Sequence, residues 1–214
     1  MSFKRPDPFD KHRDEQAITR RMAEVKAQVK DLLDAGWEVY AADEVRLEHE
    51  AETRRMWLPR GQRTKPSVDR QKTSQSFFGA LSLTSKKVKL YPIEGNQNTE
   101  QTILALDRLQ RETREEKIAV VLDNARFHHA KMLTGLYEPG RLLERITPIH
   151  LPPYAPDHNP VEHVWNTAKN NIANIQRETP EETFGAFASY ITGRTFDHDF
   201  EHLPPRDTEN DLVS

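Results

Sequence analysis

Five apolar residues in a row, Ile118 to Leu122, run straight into Asp123 and Asn124, and no other feature limits the fold so tightly. Five residues cannot cross a bilayer. A short run without polar alternation reads instead as a strand covered on both faces, as strands inside a parallel sheet are. Such a strand needs helices on either side, and the rest of the chain supplies them.

Ala17, Ile18, Met22, Val25, Val29, Leu32 and Leu33 recur at helical spacing, and Gly36 stands where a C-terminal cap belongs, so a helix is expected over Glu15 to Ala35. The period then changes to two. Between Glu38 and Leu47, Val39, Ala41, Asp43, Val45 and Leu47 share one face of a strand, while Glu38, Tyr40, Glu44 and Arg46 take the other. Asp43 therefore points with the apolar set. Ser76 to Leu83 and Lys87 to Ile93 form a hairpin pattern about Thr84, Ser85 and Lys86. A helix is expected after Asn98 or Thr99, another over His129 to Tyr137, and a short strand over Ile146 to Leu151. Val161, Val164, Trp165, Ala168, Ile172 and Ile175 form a helical apolar stripe, and a last helix spans Pro180 to Gly193. This order predicts an α/β fold with a mixed central sheet flanked by helices.

With 214 residues, no Cys, 36% hydrophobic residues and a net charge of -3, the chain suits one soluble domain with flanking arms. Neither a disulfide scaffold nor disorder throughout fits. The expected division is a helical arm over residues 1–36, a central domain over 37–194 and an acidic flexible tail over 195–214. The first residues hold no apolar stretch suited to a signal peptide, so the expected location is cytoplasmic. Charge is unevenly placed. Arg54, Arg55, Arg60, Arg63, Lys65, Arg70 and Lys72 face a single acid, Asp69, across a stretch broken by Pro59, Gly61 and Pro66. It reads either as a solvated turn region or as a basic arm for nucleic acid.

Three acids carry the chemistry. A lone carboxylate on an apolar strand face is costly to bury, so Asp43 needs a partner. Asp123 ends a central strand, where open α/β sheets place ligands, although an Asp there also serves turns and caps. Asp43 and Asp123, on adjacent strands, could share a cation. Glu162 stands third after Asn159 with Pro160 between, which fits a capping box as well as a catalytic acid leaning over the sheet edge. Carboxylates without Cys suit Mg2+ or Mn2+ better than zinc, and no H-E-x-x-H accompanies the histidines. No P-loop, G-x-G-x-x-G or G-x-S-x-G occurs, so nucleotide cofactors and a serine nucleophile are not expected. The reaction these residues suit is two-metal work on a phosphodiester.

Asp43-Glu44, the run from Trp57 to Gln62, Phe78-Gly79-Ala80, the run from Val121 to Ala125 with His128 and His129 behind it, and the long run from Leu151 to Glu162 together resemble the catalytic domain of DDE transposases. The insertion sequence 630 group of the Tc/mariner superfamily is the most similar branch, and the resemblance spans residues 37 to 178. It implies an RNase H-like fold with Asp43, Asp123 and Glu162 as the metal-binding acids, two Mg2+ or Mn2+ ions, and Asn124 and His128 close to the metals. It also implies cleavage at transposon ends and attack of the freed 3′-hydroxyl on target DNA. Double-stranded DNA would be the partner, with the basic arm touching phosphates, and a homodimer is suggested by analogy. Asp123 and Glu162 are separated by 38 residues, a little more than is usual, and the turn from Tyr137 to Gly140 can hold the excess. The family carries a helix-turn-helix half ahead of this domain, where this sequence shows about 36 residues. End recognition is thus expected from a separately encoded partner or a frameshift-fused half. The alternative reading is an inactive or truncated remnant that binds DNA or dimerises.

Overall fold

The computed structural model describes residues 14–54, 58–61 and 72–200, with the side chains of Arg126 and Phe127 left aside. Strands β1 (Glu38–Glu48), β2 (Ser74–Ser82), β3 (Val88–Ile93), β4 (Ile118–Leu122) and β5 (Ile146–His150) alternate with helices α1 (Glu15–Asp34), α2 (Thr99–Glu112), α3 (Lys131–Thr134), α4 (Pro160–Ile172) and α5 (Pro180–Thr192). The strands form one mixed sheet in the order β3-β2-β1-β4-β5. β1, β2 and β3 meander antiparallel, whereas β4 and β5 join β1 in parallel. No described helix is long and apolar enough to cross a membrane.

Every residue of β4 is buried. Ile118, Val120 and Leu122 face α2, meeting Leu106 and Leu109, while Ala119 and Val121 face α1, meeting Val25 and Val29. Each large aliphatic side chain so buried contributes about 1.5–3 kcal/mol relative to exposure, which makes β4 the spine of the domain. α4 and α5 cover the outer half of the second face, packing on Val45, Leu47, Phe77 and Leu81. α1 begins at Asp14, whose carboxylate accepts the N–H groups of Gln16 and Ala17, and Gly36 turns the chain out at φ 78°.

Three local outcomes differ from the sequence pattern. The helix expected over His129 to Tyr137 is broken into 3-10 turns around the four-residue α3, because Ala130 is extended and Gly135 favours no continued helix. The α4 stripe stops at Ile172: Asn174 turns left-handed at φ 62°, binding Glu52 O and the Arg54 N–H, and Ile175 is left 53% exposed. The acidic segment after α5 is anchored as far as residue 200. Phe196 and Phe200 are buried, and Lys86 pairs with Asp199 at 3.1 Å; residues 201–214 lie outside the described residues.

Candidate active site

Parallel pairing sets the first two acids side by side. Ala41 pairs with Val121, and two residues further along each strand stand Asp43 and Asp123. Asp123 lies just past the last residue of β4, at the strand's C-terminal end. Glu162 comes from the first turn of α4, which Asn159 ties to β1 through a 3.1 Å bond from its Nδ2 to the Ala42 carbonyl. The Asn159 side chain also accepts the Val161 N–H, but the Asn159 N–H goes to Pro156 O. The capping box is therefore only half made, and the Glu162 carboxyl is close enough to Asp43 for the two to interact electrostatically.

Trp165, one turn beyond Glu162, fixes Asp43. Its Nε1–H donates to Asp43 Oδ2 at 3.1 Å, and the far edge of the indole points at Gly79, the residue paired with Asp43 on β2. A Cβ at residue 79 would stand 2.1 Å from the indole edge. That close approach explains why a glycine occupies the middle of a buried strand. Packing alone was the simplest reading of Trp165, and the structure adds a hydrogen bond to an acid.

On the other side of β1 a second set forms around His128, which is fully buried. Its Nδ1 lies 2.8 Å from Asp123 Oδ1 and its Nε2 lies 3.5 Å from Glu44 Oε1, while Thr102 donates to the same Glu44 oxygen. Asp123 Oδ1 also accepts the Ala125 N–H at 3.0 Å. Asn124 is exposed and bonded to His129 Nε2, and the His129 ring lies 4.3 Å from that of His150. Alternation gave no sign that Glu44 is buried, since it puts Glu44 opposite the apolar face. Both faces of this sheet are covered, so the opposite face is interior too.

The two sets differ in charge. Burial, then the charges of Glu162, Glu44 and Asp123, push the Asp43 carboxyl well above the usual range, against the pull of the Trp165 bond. Burial likewise raises Glu162 and Asp123 adds to it, opposed by Lys169 two turns along α4. Burial acts against a charged His128, but its hydrogen bonds to Asp123 and Glu44 prevail and push it up to about 10. Burial also acts to raise Asp123, yet the His128 bond and the Ala125 N–H hold it below the ordinary value. Among the described residues no three His, Asp or Glu side chains are already drawn to one coordination point.

The basic stretch is partly visible. Arg54 is bound to Glu52, Asn170 and Asn174, and so ties the root of the arm to the end of α4. Arg60 and Lys72 are exposed. Arg55, Arg63, Lys65 and Arg70 lie outside the described residues.

Residues 38–183 match the family described as DDE superfamily endonuclease. No curated protein matches the chain. Among solved structures, the Mos1 strand transfer complex aligns with a TM-score of 0.62 at 15% identity, covering 90% of this chain and 59% of that one. The Mos1 transposase paired-end complex with the left transposon end gives 0.63 at 14%, covering 94% and 62%. The Mos1 mariner paired end complex with Mn gives 0.62 at 15%, covering 91% and 61%. The chain thus spans about three fifths of the length of these structures. The shared architecture is the RNase H-like fold.

Proposed function

The chain belongs to the DDE endonuclease superfamily, and from that premise we propose that it is the catalytic domain of a DNA transposase, cutting at transposon ends and joining the freed 3′-hydroxyl to target DNA. The observation that carries this reading is Asp43: an acid buried beside Glu162, Glu44 and Asp123 with a single indole N–H as its compensating donor. Such an arrangement is unfavourable for a protein on its own and favourable for one that holds a divalent cation.

The donors fit Mg2+ or Mn2+. Asp43, Asp123 and Glu162 offer only carboxylate oxygens, and their charge exceeds that of the one buried imidazolium. When bound, two such ions would activate the attacking water or 3′-hydroxyl and neutralise the leaving oxygen. Trp165 holds Asp43 in orientation. His128, fixed by Glu44, holds Asp123. Lys169 places a cation beside Glu162, suited to a DNA phosphate, and Arg60 and Lys72 suit the same phosphate contacts with Arg55, Arg63, Lys65 and Arg70. Arg54 serves the arm through its root. Transposon ends and target DNA are the partners in this reading, a homodimer is the acting unit, and a helix-turn-helix segment, separately encoded or frameshift-fused, reads the ends.

Purified protein given duplex DNA with transposon ends and Mn2+ is expected to cleave it, and Asp123→Asn and Glu162→Gln are expected to retain DNA without cutting. Wild-type turnover in either variant would refute the metal assignment. Retention without turnover by the wild type would favour the inactive remnant.

A further inference from the structure

The loop from Leu151 to Asn159 is an arch anchored beside both strand acids. At one end the Leu151 N–H donates to Leu122 O at 2.9 Å, next to Asp123. At the other, Asn159 binds the carbonyl of Ala42, next to Asp43. Leu151 and Ala155 are 3% and 2% exposed within the α1 core, and Asn159 is 1% exposed. Pro152, Pro153 and Pro156 stiffen the span between these anchors. Tyr154 stands out from this pattern. It is 53% exposed, and it occupies the left-handed region at φ 60°, which disfavours any residue with a Cβ. A glycine or asparagine would take that conformation more easily, so the turn by itself does not call for a tyrosine.

We propose that Tyr154 is a base-stacking residue, its ring taking the face of a nucleobase that flanks the scissile phosphate and so holding the DNA strand splayed over the acids. This rests on the DNA-cleaving function proposed above and adds to it the group that grips the nucleotide. Every base offers a π face, so the contact tolerates sequence variation. A rigid, pre-formed arch keeps the ordering cost of the contact low.

The test uses the full chain with a transposon-end duplex carrying 2-aminopurine at the positions flanking the cleavage point, Ca2+ replacing Mn2+ for the fluorescence measurement. The wild type, Tyr154→Phe and Tyr154→Trp are expected to quench the probe; Tyr154→Ala and Tyr154→Gly are expected to leave it unquenched. In Mn2+, cleavage by the Ala and Gly variants should fall about tenfold, and a substrate already unpaired at the end should recover part of the loss. Thermal melting separates grip from structure: Tyr154→Gly should melt at or above the wild-type temperature, because glycine relieves the left-handed strain. Wild-type quenching and rate in Tyr154→Ala would overturn the proposal, as would a phenylalanine variant as impaired as alanine or a lowered melting temperature in the glycine variant. Failure of the wild type itself to bind or cut the duplex would instead overturn the function on which it rests.

Discussion

Asp43 and Glu44 are neighbours on β1 that point to opposite faces of the sheet. Both are buried acids, yet they live in different electrostatic conditions. Glu44 meets a buried imidazolium, which Asp123 shares from the other side. Asp43 meets another carboxyl and one indole N–H. The first arrangement sets an imidazolium between its two carboxylates and holds its members still; the second sets carboxyl against carboxyl, with the Trp165 N–H at Asp43 and Lys169 acting on Glu162. A buried histidine supplies the cation where rigidity is needed, whereas Asp43, in the proposed metal site, relies on a neutral indole N–H.

The largest expected effect separates function from stability at Asp43. Asp43→Asn should cut Mn2+-dependent cleavage by about a thousandfold or more, since metal-based charge stabilisation amounts to several kcal/mol. The same change should raise the melting temperature at pH 7. The folded protein holds the Asp43 proton more tightly than the unfolded chain does, so the penalty grows as pH rises above the ordinary carboxylate range. Removing about 1–2 kcal/mol of it would add roughly 3–6 °C. A melting temperature lowered by Asp43→Asn would break the contrast with Glu44.

His128→Ala should do the reverse. It leaves the Glu44 side chain, 5% exposed, without its cation, and a broken buried pair costs about 3–5 kcal/mol, measurable by urea unfolding. A third variant, Gly79→Ala, tests the wall behind Asp43. Its Cβ must displace Trp165, at about 1–3 kcal/mol, and weaken Mn2+ affinity by uncoupling the indole from Asp43. Near-UV circular dichroism and a metal titration would show both, and an unchanged indole environment would sink the idea.

The smallest effect is a pH dependence. His128 is pushed up to about 10, so its stabilising contribution is complete below the unfolded value near 6.5 and is lost as pH rises through the folded value. Urea unfolding should show wild-type stability declining toward pH 10, a decline that His128→Ala lacks.

Much of this site was legible in the residues. Asp43 drew notice by breaking an apolar face and Asp123 by ending a buried strand, whereas Glu162 fitted a capping box equally well until the motif from Leu151 to Glu162 set it beside the other two. Trp165, Glu44 and Lys169 were less legible. The Trp165 bond to Asp43 joins residues 122 positions apart, and local periodicity carries no information about such pairs. Glu44 was hidden because alternation says which face a side chain takes, not whether that face is covered. The helix expected over His129 to Tyr137 misled because helical spacing did not show that Ala130 is extended and that Gly135 closes the short α3.

By itself the sequence determined the strand and helix order and the buried run at β4, because alternation, helical spacing and turn residues act over a few positions; the three acids stood out through the resemblance their motifs carry. Only the tertiary structure decided which acids share a histidine and which is set against another carboxyl, because that depends on where elements distant in the chain bring their side chains together in a medium of low polarity.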